Sequence, residues 1–292
     1  MKTLLLGAVA YDPKVVPIWD IIRDYANAFG CKLDYVLFSN YERQVDSLLK
    51  GHIDIAWNTN VAWIRTLYAT NNTAEALIMR DSDIDFKTHF VSRKNDSIRT
   101  LSDLKGKVFG VGSLDSAQAA IMSIYYLQRD SGLEIEIFES YAEFTRQGRK
   151  NADSIALIRY NSDLDKHGDT GTSEFDVLEA IKKGELDAGS IGSSTWIRIL
   201  TQGEYPTIES FWASSGYCHC NFSVLPSLDR ESKEQFSAML LSQNDKKHDP
   251  LITKMMQMEG LNAWVKVGKQ ELAGYDAICE AMKEQNLLTN NL

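Results

Sequence analysis

The sequence predicts an α/β protein built from two similar lobes that face each other across a cleft. Residues 1–57 alternate between apolar strand-like runs and amphipathic helical stretches, which is typical of a parallel sheet flanked by helices. A segment of the first half of the chain recurs in the second half. The chain has 292 residues, which is long enough for two lobes of common domain size.

Apolar spacing and helix stop signals predict the first elements. A strand over residues 3–9 is followed by an amphipathic helix over residues 14–29, and Gly30 ends that helix. A strand, a helix and a strand follow at 32–38, 41–50 and 53–57. This β-α-β-α-β order predicts helices packed on a parallel sheet.

An internal repeat at an offset of 133 residues is the most informative feature. Residues 50–67 share seven identical residues with residues 183–200 over 18 positions. Each copy predicts the same unit, which is a helix, a glycine stop, a short strand, a polar loop and a second helix. We interpret this repeat as a duplicated lobe and expect Asp54 and Asp187 to occupy equivalent positions. Chance similarity between two amphipathic βα units is the alternative.

Composition limits the classes of partner. The chain has 31 basic and 40 acidic residues, a net charge of −9, so a nucleic acid partner is not expected. An anionic ligand would need local donors such as helix N-termini and hydroxyl groups. No apolar run approaches the roughly 20 residues of a membrane span. The four cysteines are too widely spread for a disulfide framework, so we expect free thiols.

The first ten residues resemble a secretion signal but are too short for one, because a signal needs about 15 to 30 residues. They are better interpreted as a buried first strand that leads to a ligand loop. The printed chain is therefore expected in the cytoplasm, or in the periplasm or another extracytoplasmic space if a signal is missing from it.

Loops that follow predicted strands carry hydroxyl, amide and imidazole groups but few nucleophile–base pairs, which favours binding over catalysis. No catalytic or metal-ligating residue is assigned, and no cofactor is expected. The candidate ligand-binding residues are Tyr11, Tyr41, Asn58, Thr59, Asn60, Ser116, Gln118, His167, Thr170, Thr172, Ser173, Ser193, Tyr217 and His219.

Two segments leave alternatives open. Cys218-His219-Cys220 lacks the spaced second pair of a structural zinc site, so packing or pocket lining is the leading interpretation. Ligand contact by His219 and metal or redox chemistry are the alternatives. The glycine-rich stretch 167–173 is either a helix cap on a flexible loop or an anion cradle.

Three segments resemble the phosphonate/phosphate-type substrate-binding proteins of ABC importers. They are residues 48–57 (LLKGHIDIAW), 101–111 (LSDLKGKVFGV) and 177–189. The resemblance implies a type II periplasmic-binding fold. It places lobe one at residues 1–88 and 212–292 and lobe two at residues 89–211, with crossovers near 86–92 and 208–214.

The resemblance also implies a site. In the family, a serine- and threonine-rich turn after the D-L-K-G-K segment binds the phosphonate oxygens; here Ser116 and Gln118 match it, but the run of hydroxyls does not. Carboxylates expected after the second-copy strand for an aminophosphonate are absent from residues 190–193. The implied function is binding of a small polar or anionic solute, such as a phosphonate, a phosphate-like ion or another oxyanion. The protein would be the monomeric substrate-binding component of an ABC-type importer, with an ABC permease as a candidate partner.

Two other functions remain open. One is a cytoplasmic enzyme on the same fold, similar to thiamin-pyrimidine precursor synthases, which carry a cysteine-rich segment and a histidine. Cys218-His219-Cys220 matches that segment only in residue type. The other is a ligand-gated regulator. A binding protein is preferred to both.

Overall fold

The computed structural model describes residues 2–161 and 172–288, in which strands and helices alternate as the apolar periodicity predicts. The strands are β1 (Leu4–Val9), β2 (Leu33–Phe38), β3 (Ile55–Asn58), β4 (Glu75–Ala76), β5 (Ile78–Arg80), β6 (Thr88–Arg93), β7 (Val108–Val111), β8 (Ile135–Phe138), β9 (Ile155–Arg159), β10 (Ala188–Gly192), β11 (Ile208–Ala213), β12 (Asn221–Val224) and β13 (Trp264–Lys266). The helices are α1 (Val15–Phe29), α2 (Tyr41–Leu49), α3 (Asn60–Ala69), α4 (Met122–Asp130), α5 (Tyr141–Gln147), α6 (Thr172–Lys183), α7 (Ser193–Gln202), α8 (Arg230–Ser242), α9 (Pro250–Glu259), α10 (Lys269–Ala273) and α11 (Asp276–Glu284). A π-helical turn, Ala117–Ile121, leads into α4.

The strands form two large mixed sheets and one small sheet within the described ranges. The first has the order β2-β1-β3-β12-β4, with β1 parallel to β2 and β3 and with β12 antiparallel to β3. The second has the order β11-β6-β10-β7-β9-β8, in which β7, β8, β9 and β10 run parallel. Strands β5 and β13 pair antiparallel. Two mostly parallel sheets flanked by helices confirm the predicted fold class.

The chain passes between the two large sheets twice. Strand β6 enters the second sheet, and its antiparallel neighbour β11 returns the chain towards β12 of the first sheet. Just outside these strands, Phe86 and Tyr217 exchange backbone hydrogen bonds of 2.9 Å in both directions. The pairing supports two crossovers, while the lobe limits at residues 88 and 211 stay a prediction.

The core of each sheet is closed by large side chains. In the first sheet, Trp57 lies 4.5 Å from Phe222 between ring centroids. In the second, Phe90 and Phe109 meet edge to face at 4.9 Å.

Residues 4–9, which resemble the apolar part of a secretion signal, form the buried strand β1.

The duplication is confirmed in atomic detail. Strands β3 and β10 begin 133 residues apart, and so do helices α3 and α7. The Asp54 amide donates to the Leu5 carbonyl at 2.8 Å, and its carboxylate accepts from the Leu5 amide at 2.9 Å. Asp187 makes the same pair of bonds with Val108, at 2.9 and 2.8 Å. Each aspartate thus ties the start of its strand to the neighbouring parallel strand.

All four cysteines are free thiols, as expected from their spread along the sequence. Among the helices in the described ranges, none combines the length and the apolar character that crossing a bilayer requires.

Candidate functional site

A cleft of about 470 Å³ is lined by residues that follow strands of both large sheets. Its volume falls within the range of roughly 300 to 1,000 Å³ that is usual for small-molecule sites. The first sheet contributes Tyr11 after β1 and Thr59 after β3, and the second contributes Gly192 and Ser193 at the end of β10. This arrangement follows from parallel strands, whose carboxyl ends share one edge of the sheet.

Six of the predicted ligand-binding residues line this cleft. They are Tyr11, Tyr41, Thr59, Gln118, Ser193 and His219. They come from separate stretches of sequence, and the folded chain brings them around one space. His167 and Thr170 lie outside the described residues.

Asn58 and Asn60 do not line the cleft, contrary to the sequence prediction. Asn58 is fully buried, accepts from Gln44 Nε2 at 2.8 Å and donates to Ser223 Oγ at 3.1 Å. Asn60 is buried too, and its amide donates to the Cys218 carbonyl at 3.3 Å. Both amides satisfy buried groups inside the first lobe, because a buried polar side chain needs such partners.

Four more predicted residues also lie away from the cleft lining. The Ser116 hydroxyl accepts from the Ala119 amide at 3.2 Å and so caps the π-helical turn. Ser173 Oγ accepts from the Ser113 amide at 3.1 Å. The Tyr217 hydroxyl is buried 2.9 Å from Thr88 Oγ1, and Thr172 is exposed at the start of α6. Local capping and core hydrogen bonds therefore occupy groups that the sequence suggested for a ligand.

A buried ion cluster, defined as Arg80, Asp83 and Glu259, forms part of the cleft wall. Arg80 donates to both carboxylate oxygens of Asp83, at 2.6 and 2.8 Å, and to Glu259 Oε2 at 2.8 Å. Its guanidinium also lies over the ring of Trp57, 5.2 Å from the centroid. Burial raises the pKa of Asp83, but Arg80 outweighs that effect and holds it at about 2. The carboxylate is therefore ionised at neutral pH.

His219 connects this cluster to the other side of the cleft. Its Nε2 lies 3.3 Å from Gln118 Oε1, and the Gln118 amide nitrogen donates to Glu174 Oε1 at 3.2 Å. On the other side of the ring, Nδ1 lies 3.0 Å from Cys220 Sγ and 3.6 Å from Asp83 Oδ1.

The partners of His219 favour a protonated ring. Gln118 turns its carbonyl to the imidazole because its amide group faces a carboxylate, so Nε2 must donate, and Nδ1 faces acceptors as well. Burial lowers the pKa of His219, yet Cys220 and Asp83 together raise it to about 10. A charged imidazolium therefore joins the two lobes by a side-chain hydrogen bond.

One group of side chains in the described part of the chain has the composition of a metal site. The ligand atoms of Asp83, His219 and Cys220 lie within 4.8 Å of one another. Arg80 already places a cation on both oxygens of Asp83. Burial raises the pKa of the neighbouring Cys218 thiol to about 11, which keeps it protonated near neutral pH.

Sequence reasoning missed the charged residues of the cleft, which are Lys14, Arg80, Asp83, Glu174, Arg198 and Glu259. Most of them lie outside any local motif, so no pattern marks them. Arg198 is the exception, because it is one of the identities of the internal repeat and its matched residue Arg65 could be compared with it.

Comparison with known proteins finds one curated relative over most of the chain and solved structures that match nearly all of it. The curated relative described as the probable ABC transporter phosphite binding protein PhnD1 of Prochlorococcus marinus is 22% identical over 228 residues, 75% of this chain and 68% of its own. The structure of that organism's PhnD1 in complex with methylphosphonate matches with a TM-score of 0.69 and 18% identity, over 98% of each chain. XAC2383 from Xanthomonas citri, bound to ATP, matches with a TM-score of 0.75 and 14% identity, over 99% of this chain and all of its own.

The match to a whole family is broader still. Residues 10–267 fit the family described as the periplasmic substrate-binding protein of the phosphonate ABC transporter. That span includes every strand of the two large sheets except β1, and every residue that lines the cleft. The chain thus belongs to the family of periplasmic substrate-binding proteins of phosphonate ABC transporters.

Proposed function

We propose that the cleft captures a small organic oxyanion and presents it to an ABC permease. The observation that carries this proposal is the presence of two cleft cations, Lys14 and Arg198, that form no ion pair with a carboxylate among the described residues. They stand in a chain of net charge −9, where acidic partners are plentiful. Cations that stay unpaired in a cleft favour an anionic ligand.

The relatives support an oxyanion in particular. The matching PhnD1 structure holds methylphosphonate, the XAC2383 structure holds ATP, and a further match with a TM-score of 0.58 is the aliphatic sulphonate binding protein SsuA of Escherichia coli. These ligands share a tetrahedral phosphorus or sulfur group with several oxygens. We extend that class to this chain, with phosphonate, phosphite and phosphate esters as the first ligands to test.

The size and lining of the cleft favour an organic substituent on the ligand. A bare oxyanion would fill only part of a space of about 470 Å³. The rings of Tyr11, Tyr41, Phe86 and Phe175 also line it and offer apolar contact. The proposed ligand therefore has an oxyanion at one end and an apolar or aromatic body at the other.

The fold suggests how binding leads to transport. We propose that the two lobes, joined by paired strands, close around the ligand by hinge motion before it is passed to the permease. We propose that the protein acts as a monomer outside the cytoplasmic membrane, since its family is periplasmic. The family match favours this function over the enzyme and regulator alternatives.

Thermal unfolding with added ligands tests the proposal. Methylphosphonate, phenylphosphonate, phosphite and inorganic phosphate are added in turn, and glycine serves as a ligand without an oxyanion of this type. A ligand at 100 times its Kd should stabilise the protein by about 2.7 kcal/mol, which raises Tm by several degrees. A protein whose Tm responds to none of the four oxyanions would refute the proposed function.

A further inference from the structure

Helices α3 and α7 hold the same place in the two copies of the repeat, but only α3 has a side-chain cap. Thr59 caps α3 by accepting a hydrogen bond from the backbone at 3.4 Å. Gly192 stands at the matched position before α7, and the amides of Ser194 and Thr195 have no acceptor within the described ranges. A Cβ at Gly192 would lie 2.6 Å from Gln118 Cγ, so packing requires glycine here. The first turn of α7 therefore presents open amides to the cleft.

The arginines at matched positions of the two copies also differ, because only the one in the first copy forms an ion pair. Arg65 pairs with Glu42, with 3.3 Å between nitrogen and oxygen. The position that matches Glu42 in the second copy is Phe175, and the Arg198 guanidinium lies over its ring, 4.6 Å from the centroid. Arg198 donates through Nε to Gln202 Oε1 at 3.2 Å, and its terminal nitrogens have no acceptor in the part of the chain that the structure describes. Replacing a carboxylate by a ring leaves this charge available to a ligand.

Thr195 supplies a second, independent indication of a ligand. Its side chain lines the cleft although the residue is only 8% exposed, and its hydroxyl has no hydrogen-bond partner among residues 2–161 and 172–288. A hydroxyl on a largely buried side chain is normally satisfied by another group. Thr195 and Arg198 are three residues apart and share a face of α7. Ser194, which also lines the cleft, adds an exposed hydroxyl.

Of the turn that the family resemblance assigns to the oxyanion, Gln118 lines the cleft but the serines do not. Ser116 is 1% exposed, and its hydroxyl is used to cap the π-helical turn. Neither Ser113 nor Ser116 lines the cleft. The first turn of α7, in the second copy of the repeat, is a helix N-terminus in the cleft without a side-chain cap.

A carboxylate also lies beside this N-terminus. Glu174 Oε2 accepts from the Gly192 amide at 2.9 Å, and Glu174 lines the cleft. A carboxylate oxygen accepts a hydrogen bond from a ligand oxygen that carries a proton. A phosphorus oxyanion with a second pKa near 6 retains such a proton on part of its population at neutral pH, whereas a sulfonate has none.

We propose that the oxyanion of the ligand binds at the first turn of α7, held by the amides and hydroxyls of Ser194 and Thr195 and by the guanidinium of Arg198. The site selects a singly protonated phosphonate or phosphate ester. This inference deepens the proposed function and rests on it. It assigns oxyanion recognition to the second copy of the repeat, which lacks the side-chain cap and the arginine–carboxylate ion pair of the first copy.

Calorimetric titration of the full chain with methylphosphonate and with phenylphosphonate tests the assignment. Arg198→Ala and the nearly isosteric Thr195→Val should each weaken binding about tenfold or more, because each removes a hydrogen bond to a charged group. Phe175→Glu should do the same by restoring in lobe two the ion pair that Arg65 has in lobe one. Arg65→Ala is the matched control and should leave Kd unchanged.

The outcomes separate this inference from the proposed function. Circular dichroism melts of the unliganded variants show that each is folded before it is titrated. If the unmodified protein binds a phosphonate and Arg198→Ala and Thr195→Val bind it equally well, the α7 site is wrong and the proposed function stands. If the unmodified protein binds neither phosphonate, both are wrong.

Discussion

Replacing Asp83 by asparagine removes one charge from the buried ion cluster without changing its shape. Asp83 is 1% exposed and accepts two hydrogen bonds from Arg80. Its pKa falls from 3.8 to about 2 in the folded protein. Since one pKa unit corresponds to about 1.4 kcal/mol, ionised Asp83 stabilises the fold by roughly 2 kcal/mol at neutral pH.

The loss in the variant should be at least that large. Asp83→Asn leaves Arg80 with Glu259 as its remaining charged partner, and breaking a buried ion pair on one side costs about 3 to 5 kcal/mol. We therefore expect the free energy of unfolding at pH 7 to fall by about 2 to 4 kcal/mol. Because the folded pKa is depressed, this contribution is present above about pH 4 and is lost as the pH falls towards 2.

Urea unfolding followed by the fluorescence of the six tryptophans measures the effect. Asp130→Asn is the control, since Asp130 forms its ion pair with Arg129 at 2.8 Å on the surface and should contribute less than about 1 kcal/mol. The difference between the unmodified protein and Asp83→Asn should shrink on acidification. A loss no larger than that of Asp130→Asn at pH 7 would refute the role given to the buried ion cluster.

Three other predictions follow from the same contacts. Because the pKa of His219 is raised, its charged ring stabilises the fold fully below about pH 6.5, and this contribution is lost as the pH rises through about 10. The difference in the free energy of unfolding between the unmodified protein and His219→Gln should therefore shrink over that range. A constant difference would contradict a charged ring. Asp54→Ala and Asp187→Ala should each lower the free energy of unfolding by about 1 to 3 kcal/mol, because each leaves a strand amide unpaired. Effects that differ by several kcal/mol would contradict the equivalence of the two aspartates. Glu174→Gln should reduce the preference for methylphosphonate over methanesulfonate in calorimetric titration, and an unchanged preference would exclude Glu174 from selecting a protonated oxygen.

The sequence predicted the architecture because the fold repeats in it. The helix, glycine stop, strand and helix recur at one offset, and Asp54 and Asp187 prove to make the same bonds in both copies. Strand residues of a parallel sheet are buried on both faces, so their apolar runs are easy to recognise. The lobe limits stay a prediction, because residues 88 and 211 lie within β6 and β11, which pair side by side in the second sheet.

The site was predicted less well, for a physical reason. Sequence shows which residues follow strands, but it does not show which of their side chains are already used. Asn58 ends β3 and Ser116 follows β7, but their polar side chains already bind Ser223 and cap a helical turn. Arg80 pairs with Asp83 three residues on, but its other carboxylate partner, Glu259, lies 179 residues away, so no local pattern marks the cluster.

A crystal structure of the protein grown with phenylphosphonate tests the central claim most directly. We predict density for the ligand in the cleft, with its oxygens within hydrogen-bonding distance of the Ser194 and Thr195 amides and of the Arg198 guanidinium, and with its ring against the aromatic lining. Density at the turn that begins with Ser116, or outside the cleft, would contradict the account.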